Sequence, residues 1–343
     1  MKKFFAFQWH ITDQCDQRCK HCYIFSSGHR KIAEMSWQNM VKTLDNIIDM
    51  SARLNRQPYL YITGGDPILH PHFWDLLELV CSKKIQFSIL GNPFHLDDDV
   101  CRRLASLGCQ KYQLSLDGLR ATHDKLRRNG SFDQTLDKID VIKSSEIRCA
   151  IMTTVSAANV NDIPQLIDIV VEKKVDVFSF ARYCPVGKDN AGKASWQIQP
   201  TDYRMFLDKC WQKFSQHKNS ATTFSLKDHL WMLYLYENGL WKIPDGLQDN
   251  MIYEGCHCAH SHFTITADGQ LMACRRFESY VGNINEKMYA VFTGTKMNYY
   301  RRYDQFEKCR KCELLRFCRG CPAVAFGYSG DYYAPDPQCW KAD

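Results

Sequence analysis

The sequence has 343 residues, 45% of them hydrophobic and 24% charged, with a formal net charge of +6. That is a globular composition, long enough for one large domain and a smaller one. The positive excess forms no long basic block, which speaks against nucleic acid as the partner, and no apolar run is long enough to cross a membrane. Gln8, His10 and Asp13 interrupt the first apolar stretch too early for a signal peptide, so a cytoplasmic protein is expected. Seventeen cysteines without a secretion signal argue for metal or cluster binding, and an odd count fits a disulfide framework poorly.

Phe4 to Thr12 alternates, with Phe5, Phe7, Trp9 and Ile11 on one face, and predicts a strand. It delivers Cys15-Asp16-Gln17-Arg18-Cys19-Lys20-His21-Cys22, whose cysteines are spaced C-x3-C-x2-C. A 4Fe-4S cluster that only carries electrons takes four thiolates, so three leave one iron open to a ligand. A zinc site completed by His21 or His29 is the competing reading.

Ser36 reads as the N-cap of a helix over Trp37 to Leu54, with Met40, Leu44, Ile47 and Ile48 at helical spacing. Tyr59 to Thr63 is a strand ending in Gly64-Gly65-Asp66-Pro67, where glycines let the backbone approach a ligand and a carboxylate can accept from an ammonium. The alternation continues with a helix over His72 to Ser82, a strand Gln86 to Leu90 before Gly91-Asn92, and a helix Asp97 to Leu107. A strand Tyr112 to Leu116 before Asp117-Gly118, a helix Asp133 to Lys143, a strand Ala150 to Val155, a helix Asp162 to Lys174 and a strand Val177 to Ala181 follow. Six strands alternating with helices predict a parallel sheet covered by helices, either doubly wound or a barrel. A polar stretch from Pro185 to Ser195 ends this unit, and Thr201 to Gln216 and Leu226 to Tyr236 read as two linking helices.

From Cys256 onward there are eight cysteines, Cys256, Cys258, Cys274, Cys309, Cys312, Cys318, Cys321 and Cys339, the number that closes two 4Fe-4S clusters. Two zinc knuckles built on Cys309-x2-Cys312 and Cys318-x2-Cys321, with His260 and His262, are the alternative. The other six, Cys81, Cys101, Cys109, Cys149, Cys184 and Cys210, are expected in the core.

The C-x3-C-x2-C loop with Tyr23 after it, Gly64-Gly65-Asp66-Pro67, and Ser115-Leu116-Asp117-Gly118 resemble the motifs of radical S-adenosylmethionine (SAM) enzymes. The run C-x10-G-x4-C from Cys258, then C-x2-C-x5-C from Cys309, then Cys321 and Cys339, resembles the SPASM extension of peptide-modifying members. The resemblance implies an α/β fold: a partial (β/α)6 TIM-like barrel with a small C-terminal iron-sulfur domain. Its expected divisions are a core at 1–195, a helical linker at 196–250 and a SPASM domain at 251–343. It also implies that an iron held by Cys15, Cys19 and Cys22 binds the amino and carboxylate groups of SAM, whose cleavage yields a 5'-deoxyadenosyl radical that abstracts hydrogen from substrate. Tyr23 matches the aromatic that follows the third cysteine, and Gly64, Gly65 and Asp66 match the segment that holds the SAM amino group, aspartate standing where glutamate is commoner. Ser115 and Arg127 match the contacts to the SAM carboxylate and ribose, Arg128 being an equal candidate.

By the family's pairing, Cys256, Cys258, Cys274 and Cys321 hold one auxiliary cluster and Cys309, Cys312, Cys318 and Cys339 a second, giving three 4Fe-4S clusters with SAM as cofactors. Cys256 and Cys258 are tightly spaced, so one of them is a candidate spare. Two residues separate Cys318 from Cys321, where three are usual. The similarity is nearest to anaerobic sulfatase-maturating and ribosomal-peptide-modifying enzymes, and implies oxidation or cross-linking of a residue of a precursor peptide, with an electron donor such as flavodoxin or ferredoxin. Sulfatase maturases carry an aspartate, proposed as base, where Arg275 follows Cys274 here; the sequence names no catalytic base. The opening Phe7-Gln8-Trp9-His10-Ile11-Thr12-Asp13 and Tyr23-Ile24-Phe25 also resemble a subgroup acting on peptides with Ala-Cys-Gly repeats, which makes cysteine the target. Cys15 lies so near the start that no separate leader-binding domain is expected ahead of it. Competing functions are a radical SAM enzyme of a small molecule or tetrapyrrole, and a non-catalytic zinc or iron-sulfur module touching nucleic acid through Arg301, Arg302, Lys308, Arg310 and Lys311.

Overall fold

The alternation at the start builds β1 (Phe4–Thr12), and in the computed structural model, which describes residues 3–25, 32–186, 195–248 and 251–342, it lies inside the sheet. Every residue from Phe7 to Thr12 is buried, the polar Gln8, His10 and Thr12 included. Burial on both faces is the mark of an inner strand of a parallel sheet.

The loop after β1 leads to α1 (Trp37–Arg53), where the Ser36 hydroxyl accepts from the Asn39 amide at 3.3 Å and Met40, Leu44, Ile47 and Met50 bury one stripe. Then come β2 (Gln57–Gly64), α2 (Phe73–Ser82), β3 (Gln86–Leu90), α3 (Asp98–Ser106), β4 (Cys109–Ser115), α4 (Arg120–Leu126), α5 (Ser131–Ser144), β5 (Arg148–Val155), α6 (Ile163–Glu172) and β6 (Val177–Arg182). The linking segment folds as α7 (Pro200–Gln216), β7 (Thr223–Ser225) and α8 (Leu230–Glu237). The tail adds β8 (His262–Ile265), β9 (Gln270–Met272), β10 (Tyr280–Asn283), α9 (Met288–Thr293), α10 (Thr295–Tyr299) and α11 (Pro322–Ser329).

All ten strands form one sheet in the order β10-β9-β8-β1-β2-β3-β4-β5-β6-β7. The strands from β8 through β1 to β7 are mutually parallel, while β9 runs antiparallel to β8 and β10 antiparallel to β9. The end strands do not pair with each other, so the barrel is partial. The C-terminal cysteine region thus shares the core's sheet: Ala6 pairs with His262 and Trp9 with Ile265.

Ile62, Ile89, Leu114 and Ile151 join the helices' apolar stripes in the core, and each such buried side chain contributes roughly 1.5–3 kcal/mol. The alternate residues, Thr63, Leu90, Gln113, Ser115, Met152 and Thr154, face the concave side and line a cavity. Of the cysteines expected in the core, Cys101, Cys109, Cys149, Cys184 and Cys210 are buried, but Cys81 is exposed. The stripe of α2 is Phe73, Leu76, Leu77 and Val80, and Cys81 lies about 40° past Leu77, just off its edge. The Pro185 to Ser195 stretch and His29 lie largely or wholly outside the described residues.

Candidate functional site

The strands deliver Cys15, Cys19 and Cys22 to one edge of a cavity of about 230 Å³ at their carboxyl ends, the position where open α/β sheets bind ligands. The three thiols are close enough that each feels another's charge, and burial is the main cause raising the pKa of all three. Polar hydrogens are aimed at the sulfurs. The Asn92 amide donates to Cys15 Sγ at 3.2 Å, the Gln17 backbone N–H to the same atom at 3.4 Å, and Arg127 Nη1 reaches Cys19 Sγ at 3.6 Å. Three thiols with N–H donors around them suit thiolate ligation of a cluster.

Gly64 and Gly65 line the cavity, and the reason they are glycines is local. A Cβ at Gly64 would stand 2.1 Å from the Thr12 carbonyl oxygen, and one at Gly65 2.1 Å from that of Gln14. The end of β2 is therefore pressed against the residues leading into the cysteine loop. Asp66 lies behind that wall and does not line the cavity; its Oδ1 accepts from the Asn92 backbone N–H at 3.4 Å and its Oδ2 is buried with no hydrogen-bond partner among the described residues. Burial first, and then the neighbouring Asp16 carboxylate, push the Asp66 carboxyl up to about 7.

Ser115, at the end of β4, and Arg127, just after α4, both line the cavity. Arg127 is heavily engaged: its Nε donates to Asp117 Oδ2 at 2.5 Å and its Nη2 lies 3.4 Å from His21 Nε2, which is itself 3.1 Å from Asp117 Oδ2. Asp117 is wholly buried; burial raises its pKa, but Arg127 and His21 outweigh it and hold the carboxyl well below its usual range. Arg128 turns away, its guanidinium 4.6 Å from the Phe94 ring centroid, so only Arg127 of the two faces the cavity. Tyr23 also lines it, with its hydroxyl 3.3 Å from His10 Nε2 and the Arg275 guanidinium 5.4 Å from its ring centroid.

The eight C-terminal cysteines fall into two neighbourhoods. Cys274 is pushed up to about 12 by burial and then by the nearby Cys256 and Cys321, while Cys258 feels Cys256 and Cys274. Cys309 and Cys318, each also pushed up to about 12 by burial, have Cys339 beside them, and Cys312 lies next to Cys309 and Cys339. Cys256 and Cys258 share a hydrogen bond between their thiols, which favours the thiolate on Cys256, helped by His229. The short Cys318–Cys321 spacing is accommodated at Gly320, whose φ is +58°. A Cβ there would lie 2.5 Å from Asp336, and Asp336 Oδ2 accepts the Cys321 amide at 2.6 Å. The histidines weighed as zinc ligands have other contacts: His262 Nε2 lies 3.1 Å from the Thr264 hydroxyl and His260 stacks on Tyr303.

The first neighbourhood borders the same cavity as the N-terminal loop. Arg276 Nη1 donates to Cys321 Sγ at 3.3 Å, its Nη2 to the Arg182 carbonyl, and both arginines line the cavity. Cys184, also in the lining, donates its thiol to the Ala323 carbonyl at 2.7 Å and lies near Cys274 and Cys321.

The chain matches the family model of the radical SAM superfamily over residues 9–170 and that of the SPASM iron-sulfur cluster-binding domain over residues 256–313. It is a radical SAM enzyme. As such it uses SAM and iron-sulfur chemistry. An AdoMet-dependent heme synthase of Methanosarcina barkeri is 24% identical over 338 residues, covering 96% of this chain and 95% of that protein. Two solved structures share the fold. Streptococcus suis SuiB bound to the precursor peptide SuiA has a TM-score of 0.74 and 19% identity, covering 99% of this chain and 77% of that one. Native anSMEcpe with bound AdoMet and Cp18Cys peptide has a TM-score of 0.75 and 18% identity, covering 98% and 94%. Among the described residues no helix is long and apolar enough to cross a membrane.

Asn92, Asp117 and Lys227 are site residues to which the sequence reading gave no role. Asn92 follows a strand end and Asp117 stands in a quoted motif, signals that mark position without telling which partner each side chain meets. Lys227, in the lining between β7 and α8, carries no motif at all.

Proposed function

We propose that this radical SAM enzyme abstracts hydrogen from a residue, specifically cysteine, of a ribosomally made precursor peptide and oxidises or cross-links it. One observation carries the reading: a single cavity is bordered by the N-terminal cysteine loop on one side and by Arg276, beside Cys321, on the other. A substrate in that space has a radical source at one wall and a group of buried thiols fit for an electron-accepting cluster at the other.

In this reading Cys15, Cys19 and Cys22 hold a 4Fe-4S cluster that, with SAM, supplies the 5'-deoxyadenosyl radical. Cys256, Cys258, Cys274 and Cys321 hold one auxiliary cluster, and Cys309, Cys312, Cys318 and Cys339 another, three clusters in all. Gly64, Gly65, Ser115 and Tyr23 border the SAM space; Asp66 supports it from behind through Asn92, and Arg127 braces the cluster loop from Asp117. The division into a core at 1–195, a linker at 196–250 and a cluster domain at 251–343, an electron donor such as flavodoxin or ferredoxin, and a cytoplasmic location complete the proposal. The peptides bound to SuiB and anSMEcpe support the substrate class. A tetrapyrrole is the second reading, favoured by the full-length alignment with a heme synthase.

Anaerobic turnover with a peptide of Ala-Cys-Gly repeats tests the choice. Deuterium at the cysteine Cβ is expected to appear in 5'-deoxyadenosine, with a matching mass loss in the peptide. Turnover of a tetrapyrrole, with no change in any peptide offered, would overturn the proposal.

A further inference from the structure

Five lysine and arginine side chains line the cavity, Arg127, Arg182, Lys227, Arg275 and Arg276, and among the described residues no Asp or Glu does. Three of the five are accounted for by the protein. Arg127 is paired with Asp117, Arg182 with Asp228 and Asp336, and Arg276 donates to Cys321 Sγ. Lys227 and Arg275 make no ion pair with a carboxylate among the described residues. The Lys227 ammonium has Met152 Sδ, 3.8 Å away, as its hydrogen-bond partner, and Arg275 lies over the Tyr23 ring.

The chain places Lys227 there deliberately in one respect. Its neighbour Asp228 is engaged by Arg182 at 2.9 Å, so the carboxylate one residue away is already taken and the lysine side chain is left to the cavity. Lys227 is exposed to the cavity, and the cations whose charge it feels are Arg275, Arg276 and Lys111. Lys227 and Arg275 thus line one cavity, close enough to feel each other's charge and neither ion-paired among the described residues, so an anion bound between them relieves that repulsion. A planar guanidinium beside an ammonium suits a carboxylate, which accepts from both.

We propose that Lys227 and Arg275 form an anion seat that takes a carboxylate of the substrate and so helps decide which substrates enter. The proposal rests on the reading above that this cavity holds the substrate. The carboxylate belongs to an acidic residue or C-terminus of a peptide, or to a side chain of a tetrapyrrole; the seat reads the same chemistry in both.

The test uses the anaerobic holoenzyme and two probe pairs: a glutamate-containing Ala-Cys-Gly peptide with its glutamine counterpart, and coproporphyrin III with its tetra-amide. Dissociation constants are measured for wild type, Lys227→Ala and Lys227→Arg, with SAM binding measured beside them. Wild type is expected to prefer the acid of one pair by about tenfold or more, and the preferred pair names the source. Lys227→Ala is expected to bring that preference to within about twofold, and Lys227→Arg to retain most of it, while SAM binding stays unchanged. No preference in either pair, no binding of either acid, a preference that survives Lys227→Ala, or a loss confined to SAM binding would each overturn the proposal. Formation of 5'-deoxyadenosine is followed separately: if it fails while the acid preference holds, the reading of the reaction falls and the anion seat stands.

Discussion

Arg182 and Asp336, 154 residues apart in sequence, meet through two hydrogen bonds, Nη1 to Oδ1 at 2.6 Å and Nη2 to Oδ2 at 2.8 Å. The same guanidinium donates to Asp228 and Gln338, and the same Asp336 accepts the amide of Cys321. The end of the last core strand is thereby tied to the thiols of the tail. Arg182→Ala leaves two buried carboxylates unpaired and is expected to cost about 3–5 kcal/mol. Anaerobic thermal unfolding and iron content check this: a lower midpoint with loss of tail-bound iron is predicted, and Arg182→Lys is expected to recover only part, since it loses the two-pronged contact.

Arg127 makes the corresponding tie at the N-terminal loop. Removing it by Arg127→Ala takes the guanidinium from Asp117, which is wholly buried, and leaves the His21 ring 3.1 Å from its Oδ2. A loss of about 3–5 kcal/mol is expected. Arg127→Ala with Asp117→Asn removes both charges, and the double variant should unfold at a higher temperature than the single one.

Asn92 donates to Cys15 Sγ at 3.2 Å and to Asp16 Oδ1 at 2.9 Å. Hydrogen bonds to cluster sulfurs stabilise the reduced, more negative state and raise its potential. Asn92→Ala is therefore expected to lower the midpoint potential of the SAM-binding cluster, measured by a redox titration followed by electron paramagnetic resonance. An unchanged or higher potential would contradict the contact.

Asp66 gives a pH dependence with a definite sign. Its carboxyl is raised to about 7 in the folded protein, chiefly by burial and then by Asp16, so the folded state binds more protons than the unfolded between about 4 and 7. Stability from this group is present at low pH and falls as pH rises through that window, by on the order of 4 kcal/mol in total. Asp66→Asn cannot ionise. Its unfolding midpoint relative to wild type is expected to climb between pH 5 and pH 8, and a constant difference would contradict the raised carboxyl.

Much of the core was readable because its signals are local. Ser36 sits where a cap is needed, the alternation of Phe4 to Thr12 marks an inner strand, and Ile163, Leu166, Ile167 and Val170 bury the stripe their spacing predicts. The motif cysteines were readable because a cluster dictates residue type and spacing together. Long-range pairing was not. β8 has four residues, too few to show a period, and its place beside β1 depends on a contact across more than half the chain. Cys81 was misplaced because apolar neighbours in sequence do not fix whether a residue at the edge of a helix stripe is covered. Lys227 and Arg182 carry no motif; what distinguishes them is whether a carboxylate lies within reach, and the sequence alone does not say so.

The central claim, radical generation at the Cys15-Cys19-Cys22 loop, is tested most directly by 5'-deoxyadenosine formation. The anaerobically reconstituted enzyme is given SAM and dithionite beside Cys22→Ala. Wild type is predicted to form the nucleoside while the variant, retaining the iron of the tail thiols, forms none. Equal formation by both, or none from wild type with its full iron, would contradict the account.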